Sequence, residues 1–163
     1  MSACPKCEST RLELGPQRAV RQLFGSTFRA TVPGTRCLAC EEIYYDGLGL
    51  LRFELAIAGH LAAQGPVSGE SLSWMRRALG LTGEKLAELL HVRSETLSRW
   101  ETGKREVDYN AWLTASSLVL DEIEGRGATR EKLEAIARPR KSKQVTVDLS
   151  RIPTGLPTSL AGH

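Results

Sequence analysis

The stretch Leu81-Thr82-Gly83-Glu84-Lys85-Leu86-Ala87-Glu88-Leu89-Leu90-His91-Val92-Arg93-Ser94-Glu95-Thr96-Leu97-Ser98-Arg99-Trp100-Glu101-Thr102-Gly103 decides how this 163-residue chain reads. The Thr82 hydroxyl can cap a helix that ends near Leu90, and the Ser94 hydroxyl can cap the next one. Each would accept from an amide that the first helical turn leaves unpaired. Leu86, Leu90, Val92, Leu97 and Trp100 are spaced to fix the angle between the two helices, and small Ala87 sits where they must approach closely. Three residues between helices match the short turn of a DNA-binding helix-turn-helix. A helical hairpin that packs and binds nothing has the same spacing, so the pattern alone leaves both readings open.

Outward from this stretch the helical period continues on both sides. Leu72, Met75 and Leu79 mark a stripe before it, and Trp112, Leu113, Leu118, Leu120 and Ile123 mark one after it. Gly80, Gly103 and Gly125 punctuate the segments, as expected near helix ends. Residues 70–125 therefore read as an all-α domain. The last stripe has more apolar positions than one helix face can bury internally, which predicts a two-fold homodimer through residues after Tyr109. The competing reading is that these side chains only complete the core. A short extra helix is expected at 129–137, within a segment 126–138. Residues 139–163 are poor in apolar side chains and read as a mostly disordered basic tail. Within that tail, Gln144-Val145-Thr146-Val147-Asp148-Leu149 alternates for one strand's length.

Bulk charge says little about partners. The net charge is +3, and the middle segment 70–124, with seven Lys/Arg against ten Asp/Glu, is net negative. A nucleic-acid site there must rest on local arrangement rather than on bulk charge. No apolar run approaches the roughly 20 residues of a membrane span, and the opening MSACPKCEST lacks the apolar core of a secretory signal. The expectation is a cytoplasmic protein with no membrane partner.

Towards the N-terminus, Gln64-Gly65-Pro66-Val67-Ser68-Gly69 reads as a break with a linker at 65–69. Leu48, Leu51, Leu55, Ala58 and Ala62 suggest an amphipathic helix over 48–63. Residues 1–45 read as turns and short strands, with alternation over Thr27-Phe28-Arg29-Ala30-Thr31-Val32 and a turn at Pro33-Gly34. So thin a core needs a staple.

The cysteines supply one. All four fall in two pairs, Cys4-Pro5-Lys6-Cys7 and Cys37-Leu38-Ala39-Cys40. Two C-x-x-C turns can complete a tetrahedron of thiolates around one Zn²⁺ per chain, a closed and therefore structural site. Iron in a four-sulfur set would look the same in sequence. A redox C-x-x-C would need a βαβ context that is missing here. His60, His91 and His163 are not paired at ligand spacing, and Glu41 and Glu42 read as solvated surface. No nucleophile triad, metalloprotease motif or phosphate loop is present, so the chain does not read as an enzyme. The fold class expected is an α+β zinc-binding domain at 1–64 followed by the all-α domain at 70–125.

The run Leu97-Ser98-Arg99-Trp100-Glu101-Thr102-Gly103-Lys104-Arg105 resembles the second half of the Xre/Cro-type helix-turn-helix. With the two cysteine pairs ahead of it, the chain over about residues 1–124 resembles the MqsA family of type II antitoxins. The resemblance implies a zinc domain that clasps a cognate toxin, typically an endoribonuclease. It also implies a helix-turn-helix dimer that binds a palindromic operator upstream of its own genes. A stand-alone transcriptional repressor, or an interaction module that no longer binds DNA, are the alternatives.

With Leu97 and Trp100 inward, Ser94, Glu95, Ser98 and Arg99 fall on or beside the groove-facing side. Arg99 is the best base reader, since a guanidinium forks onto guanine O6 and N7; a phosphate contact is its other reading. Thr82, Gly83 and Ser94 are candidates for phosphate contacts, and Lys104 and Arg105 should touch the DNA backbone. Xre-type domains usually carry Gln where Gly83 stands, and Glu95 occupies a position that often holds Asn, Gln or Ser. The resemblance further implies that Arg76 and Glu101 form the ion pair that bridges the first and third helices of this fold.

Overall fold

Two twelve-residue strands, β1 (Leu12–Leu23) and β2 (Ser26–Cys37), pair antiparallel, and a short β3 (Ile43–Tyr45) adds to the other side of β2. The computed structural model describes residues 2–137, and among these every element after β3 is a helix. The helices are α1 (Gly47–Gln64), α2 (Gly69–Ala78), α3 (Gly83–Leu89), α4 (Ser94–Glu101), α5 (Tyr109–Ile123) and α6 (Ala128–Ala137). The chain is thus a small antiparallel sheet bearing the cysteines, followed by an all-α helix-turn-helix region. The short helix expected after residue 126 is α6. The tail 139–163, including the alternating run 144–149, lies outside the described residues.

The hairpin turns at Phe24-Gly25 and not at Pro33-Gly34. Leu23 pairs with Ser26, and both Phe24 and Gly25 have positive φ, 53° and 72°. That is the signature of a two-residue hairpin turn whose twist matches the strands. Pro33 and Gly34 instead lie inside β2, opposite Pro16 and Gly15. The ladder tolerates the prolines because of where their nitrogens face. Asp46 N donates to Pro33 O at 2.8 Å and Cys37 N to Glu42 O at 2.9 Å, so these β2 residues direct their backbone groups away from β1. The Pro16–Pro33 pair therefore falls where neither residue owes its neighbour a hydrogen bond.

One sheet face contributes Ala19 and Val32 to the core, and α1 covers it. Asp46 starts this helix by accepting from Gly49 N at 2.8 Å. Its buried residues are Phe53, Ile57, Ala58 and Leu61. The stripe expected from Leu48, Leu51, Leu55, Ala58 and Ala62 is rotated, and Leu48 and Leu51 are exposed. The reason is that α1 packs on β2 and also on α2 and α5, so two faces share one apolar segment and a single stripe is ambiguous.

The helical region is closed by its caps. Ser68 accepts from Ser71 N at the start of α2. Gly80, Gly103 and Gly125 all have positive φ just past helix ends, where a left-handed residue lets the chain satisfy the last carbonyls. Gly69 has a different reason to be glycine. A Cβ there would lie 1.8 Å from Trp100 O, so α2 can begin against the end of α4 only without a side chain. On α5, Trp112 and Leu118 are buried with Ala111, Ala115 and Val119, while Leu113, Leu120 and Ile123 are exposed. Two of the five residues expected at a dimer surface are thus consumed by the core. No helix among the described residues is long and apolar enough to cross a membrane.

Candidate nucleic-acid interface and metal centre

Each cysteine pair sits in the same small backbone loop. Glu8 and Glu41, directly after the second cysteine of each pair, have positive φ of 59° and 60°. Their amides donate back to Cys4 O and Cys37 O at 2.8 and 2.9 Å, and Cys4 N and Cys37 N donate onward to Ser9 O and Glu42 O, both at 2.9 Å. The loops present their thiols to each other. All four Sγ atoms lie within 4.8 Å of one another, with Cys4–Cys40 at 3.7 Å and Cys7–Cys37 at 3.6 Å. A tetrahedron with bonds of about 2.3 Å has sulfur–sulfur edges of about 3.8 Å, whereas a disulfide needs about 2.05 Å. The donor set therefore fits one tetrahedral thiophilic metal ion.

Tyr44, which sequence reasoning passed over, completes the centre. Its Oη lies 3.5 Å from Cys4 Sγ. This hydrogen bond lowers the Cys4 thiol to about 6 and raises the Tyr44 phenol to about 12. A donor of this kind orients a ligand and tunes its basicity. The signals available were the repeated Cys-x-x-Cys-Glu pattern and an aromatic residue four positions after Cys40. Glu42 pairs with Lys6 and Glu41 with Arg36 on the surface, consistent with a solvated role.

The second site is built by α3, α4 and the turn between them. Thr82 Oγ1 accepts from Lys85 N at 3.1 Å and caps α3. The helix closes at Leu90, after which His91 takes a positive φ of 54°. His91 N bonds Glu88 O at 3.1 Å and Val92 N bonds Ala87 O at 3.0 Å. This paired return usually employs glycine. Ser94 does not cap α4. Arg93 holds the cap position with no side-chain hydrogen bond, and Ser94 is the first helical residue. The amides of Thr96 and Leu97 return to Arg93 O at 2.9 and 3.2 Å, the first bonds of the helix.

The exposed side of α4 gathers most of the expected DNA contacts. Ser94, Glu95, Ser98, Arg99 and Lys104 line one shallow hollow together with Thr102, which sequence reasoning missed. Thr102 follows Ser98 by four, one helical turn, and that spacing was its signal. Thr82 and Gly83 line an adjoining hollow with Ser94 and Ser98. Arg105 does not join them. It lines a different hollow beside Trp100 and Asp108, and its amide donates to Arg99 O at 3.1 Å.

Behind this surface Arg76 grips Glu101 with both arms, Nε to Oε1 at 2.6 Å and Nη2 to Oε2 at 3.0 Å. Its remaining nitrogen donates to Leu81 O at 2.9 Å. The two side chains are only 16% and 14% exposed, so the pair clamps α2 to the end of α4 largely out of water.

Residues 72–112, from α2 into α5, match the helix-turn-helix family model. This segment is an Xre-type helix-turn-helix. It is a DNA-binding regulatory domain, and the exposed face of α4 is the element that such a domain lays in the major groove. No curated protein matches the chain.

Proposed function

We propose that this protein is the antitoxin and autorepressor of a type II toxin–antitoxin pair. The observation that carries this reading is the order of its two sites, a four-cysteine centre on a small sheet followed by an Xre-type helix-turn-helix with an accessible α4 face. That order is the one the MqsA family resemblance implies. Zn²⁺ held by Cys4, Cys7, Cys37 and Cys40 supplies folding energy and no chemistry, because four protein ligands leave no position for a substrate. The region 1–64 clasps an endoribonuclease toxin and blocks it.

The helix-turn-helix reads a palindromic operator as a homodimer. Two-fold related α4 helices enter successive major grooves about 34 Å apart. Arg99 forks onto a guanine, with Ser98 and Glu95 beside it. Thr82, Gly83, Ser94 and Lys104 meet phosphates and set the register. Tyr109, Leu113 and Leu120, exposed on α5, are available for the two-fold contact.

Two assays test this. The purified chain should shift a duplex from upstream of its own gene and leave a shuffled duplex free at the same salt. It should also abolish RNA cleavage by the product of the adjacent open reading frame. DNA binding without inhibition of that product would leave a stand-alone repressor; inhibition without DNA binding would leave an interaction module.

A further inference from the structure

From Leu14 to Cys40 the chain carries four arginines, Arg18, Arg21, Arg29 and Arg36, and no Asp, Glu or Lys. The pleat sorts them. Ala19 and Val32 turn to the core, so the alternate residues of β1 and β2 turn to the other face of the sheet. That outer face holds Leu14, Pro16, Arg18 and Val20 on β1 and Arg29, Thr31 and Pro33 on β2, all exposed. Arg29 stands opposite Val20 and Arg18 opposite Thr31, which makes the two arginines diagonal neighbours about 7–8 Å apart. Among the described residues no ion pair includes either of them, whereas Arg36 has Glu41 and Arg76 has Glu101. Two like charges at this spacing repel, and a carboxylate brought between them is attracted by both.

The rest of the face is apolar. Leu14 is 80% exposed and Val20 40%, and Leu14, Pro16, Pro33 and Tyr44 line one open hollow beside the arginines. This mixture selects the class of partner. Nucleic-acid affinity grows with the number of phosphates neutralised, and two cations are few. Bases also need aromatic faces to stack on, and Tyr44 on this face is half-buried with its hydroxyl at Cys4. An apolar centre with arginine beside it is instead the composition of a protein interface. Charge also excludes two occupants from this chain. The segment after Ala137 holds Arg138, Arg140, Lys141, Lys143 and Arg151 against Asp148, and the same face of a second copy would set arginine against arginine.

We propose that the outer face of the β1–β2 hairpin docks an acidic segment of a partner protein, its carboxylates on Arg18 and Arg29 and its apolar side chains on Leu14, Pro16 and Pro33. The inference deepens the reading that region 1–64 holds a protein toxin, and rests on it for the partner's identity. From Leu14 to Val20 the face is about 20 Å long at about 3.4 Å per residue, enough for six or seven extended residues. It lies opposite the face that α1 covers, so docking there leaves the packing of α1 on the sheet in place.

The test is read on the full-length protein by nitrogen-15 spectra. The probe is a capped peptide with two leucines at one end and three glutamates at the other, joined by serines. It should shift the amides of Leu14, Arg18, Val20, Arg29 and Thr31 saturably. Peptides with lysine for glutamate or serine for leucine, and a short oligouridylate, should bind about ten-fold more weakly, the scale of two exposed ion pairs. Arg18→Glu with Arg29→Glu should abolish the response while zinc content and the shift of the operator duplex stay unchanged. The same variant should bind the product of the adjacent open reading frame at least about ten-fold more weakly than the parent. If the parent does not bind that product, the toxin reading falls, and the peptide comparison, which needs no variant, still decides the docking face. Equal binding of the lysine peptide, tighter binding of the oligouridylate, shifts confined to other residues, or full binding of the product by the variant would each overturn the proposal.

Discussion

Along β1, β2 and β3 the buried residues are Ala19, Val32 and Cys37, whereas α5 alone buries Ala111, Trp112, Ala115, Ser116, Leu118 and Val119. The two halves reach order by different means. Burying one valine stabilises by about 1.5–3 kcal/mol, while each ordered backbone residue costs about 1–2 kcal/mol of entropy. A long hairpin with two small buried side chains cannot offset that alone. A metal ion held by the four thiols would close the difference, since binding a structural metal is itself folding free energy. The helical half instead relies on Leu72, Met75, Leu86, Leu97 and Trp100, on side-chain caps at Ser68, Thr82 and Asp108, and on one half-buried ion pair.

Metal removal should have the largest effect. Structural zinc sites bind with about 10–16 kcal/mol, so chelation should melt β1–β3 and leave most of the helical circular dichroism intact. Elemental analysis of the untreated protein should find one equivalent of zinc. A sheet that survives chelation would remove the contrast between the halves.

Next comes the clamp. Arg76→Met leaves the half-buried Glu101 carboxylate without its partner, at a cost of about 2–3 kcal/mol in urea unfolding, below the roughly 3–5 kcal/mol of a fully buried pair. The double change Arg76→Met with Glu101→Leu should recover most of that loss. A small effect from the single change would move the pair to the surface class, where about 0–1 kcal/mol is usual.

On DNA the effects are smaller and differ in kind. Arg99→Ala should cost about 1–3 kcal/mol and relax base preference at one position per half-site. Lys104→Ala should weaken all sequences alike and reduce the salt slope by about one. Identical, sequence-blind losses from both would make Arg99 a phosphate contact. Smallest is Gly83→Gln. A Cβ at Gly83 meets nothing within 4 Å, so an amide side chain has room to reach DNA and should tighten operator binding by about 1 kcal/mol. Unchanged affinity in a fluorescence anisotropy titration would show that α3 does not approach DNA at this position.

What was legible in the sequence follows the same division. The helix-turn-helix could be read because Leu86, Leu97 and Trp100 repeat at helical spacing and Thr82 has a capping hydroxyl. The cysteines could be read because C-x-x-C spacing constrains the thiols directly. The hairpin could not, because Pro33-Gly34 is a stronger local turn signal than Phe24-Gly25, and it is the pairing of this segment with β1 on one side and β3 on the other that keeps it extended. Ser94 looked like a cap, but the amides of Thr96 and Leu97 return to Arg93 O, which makes Arg93 the cap and Ser94 the first residue of α4. Arg105 looked like a neighbour of Lys104, but the chain leaves α4 there, and the two line different hollows. In each case tertiary packing overrode a local preference.

The division of labour is tested most directly by hydrogen exchange of the full chain with and without a duplex from upstream of its gene. DNA should add protection at Thr82–Lys85 and Ser94–Lys104 and leave β1 and β2 unchanged. Protection spread over the sheet, or absent from α4, would contradict the account.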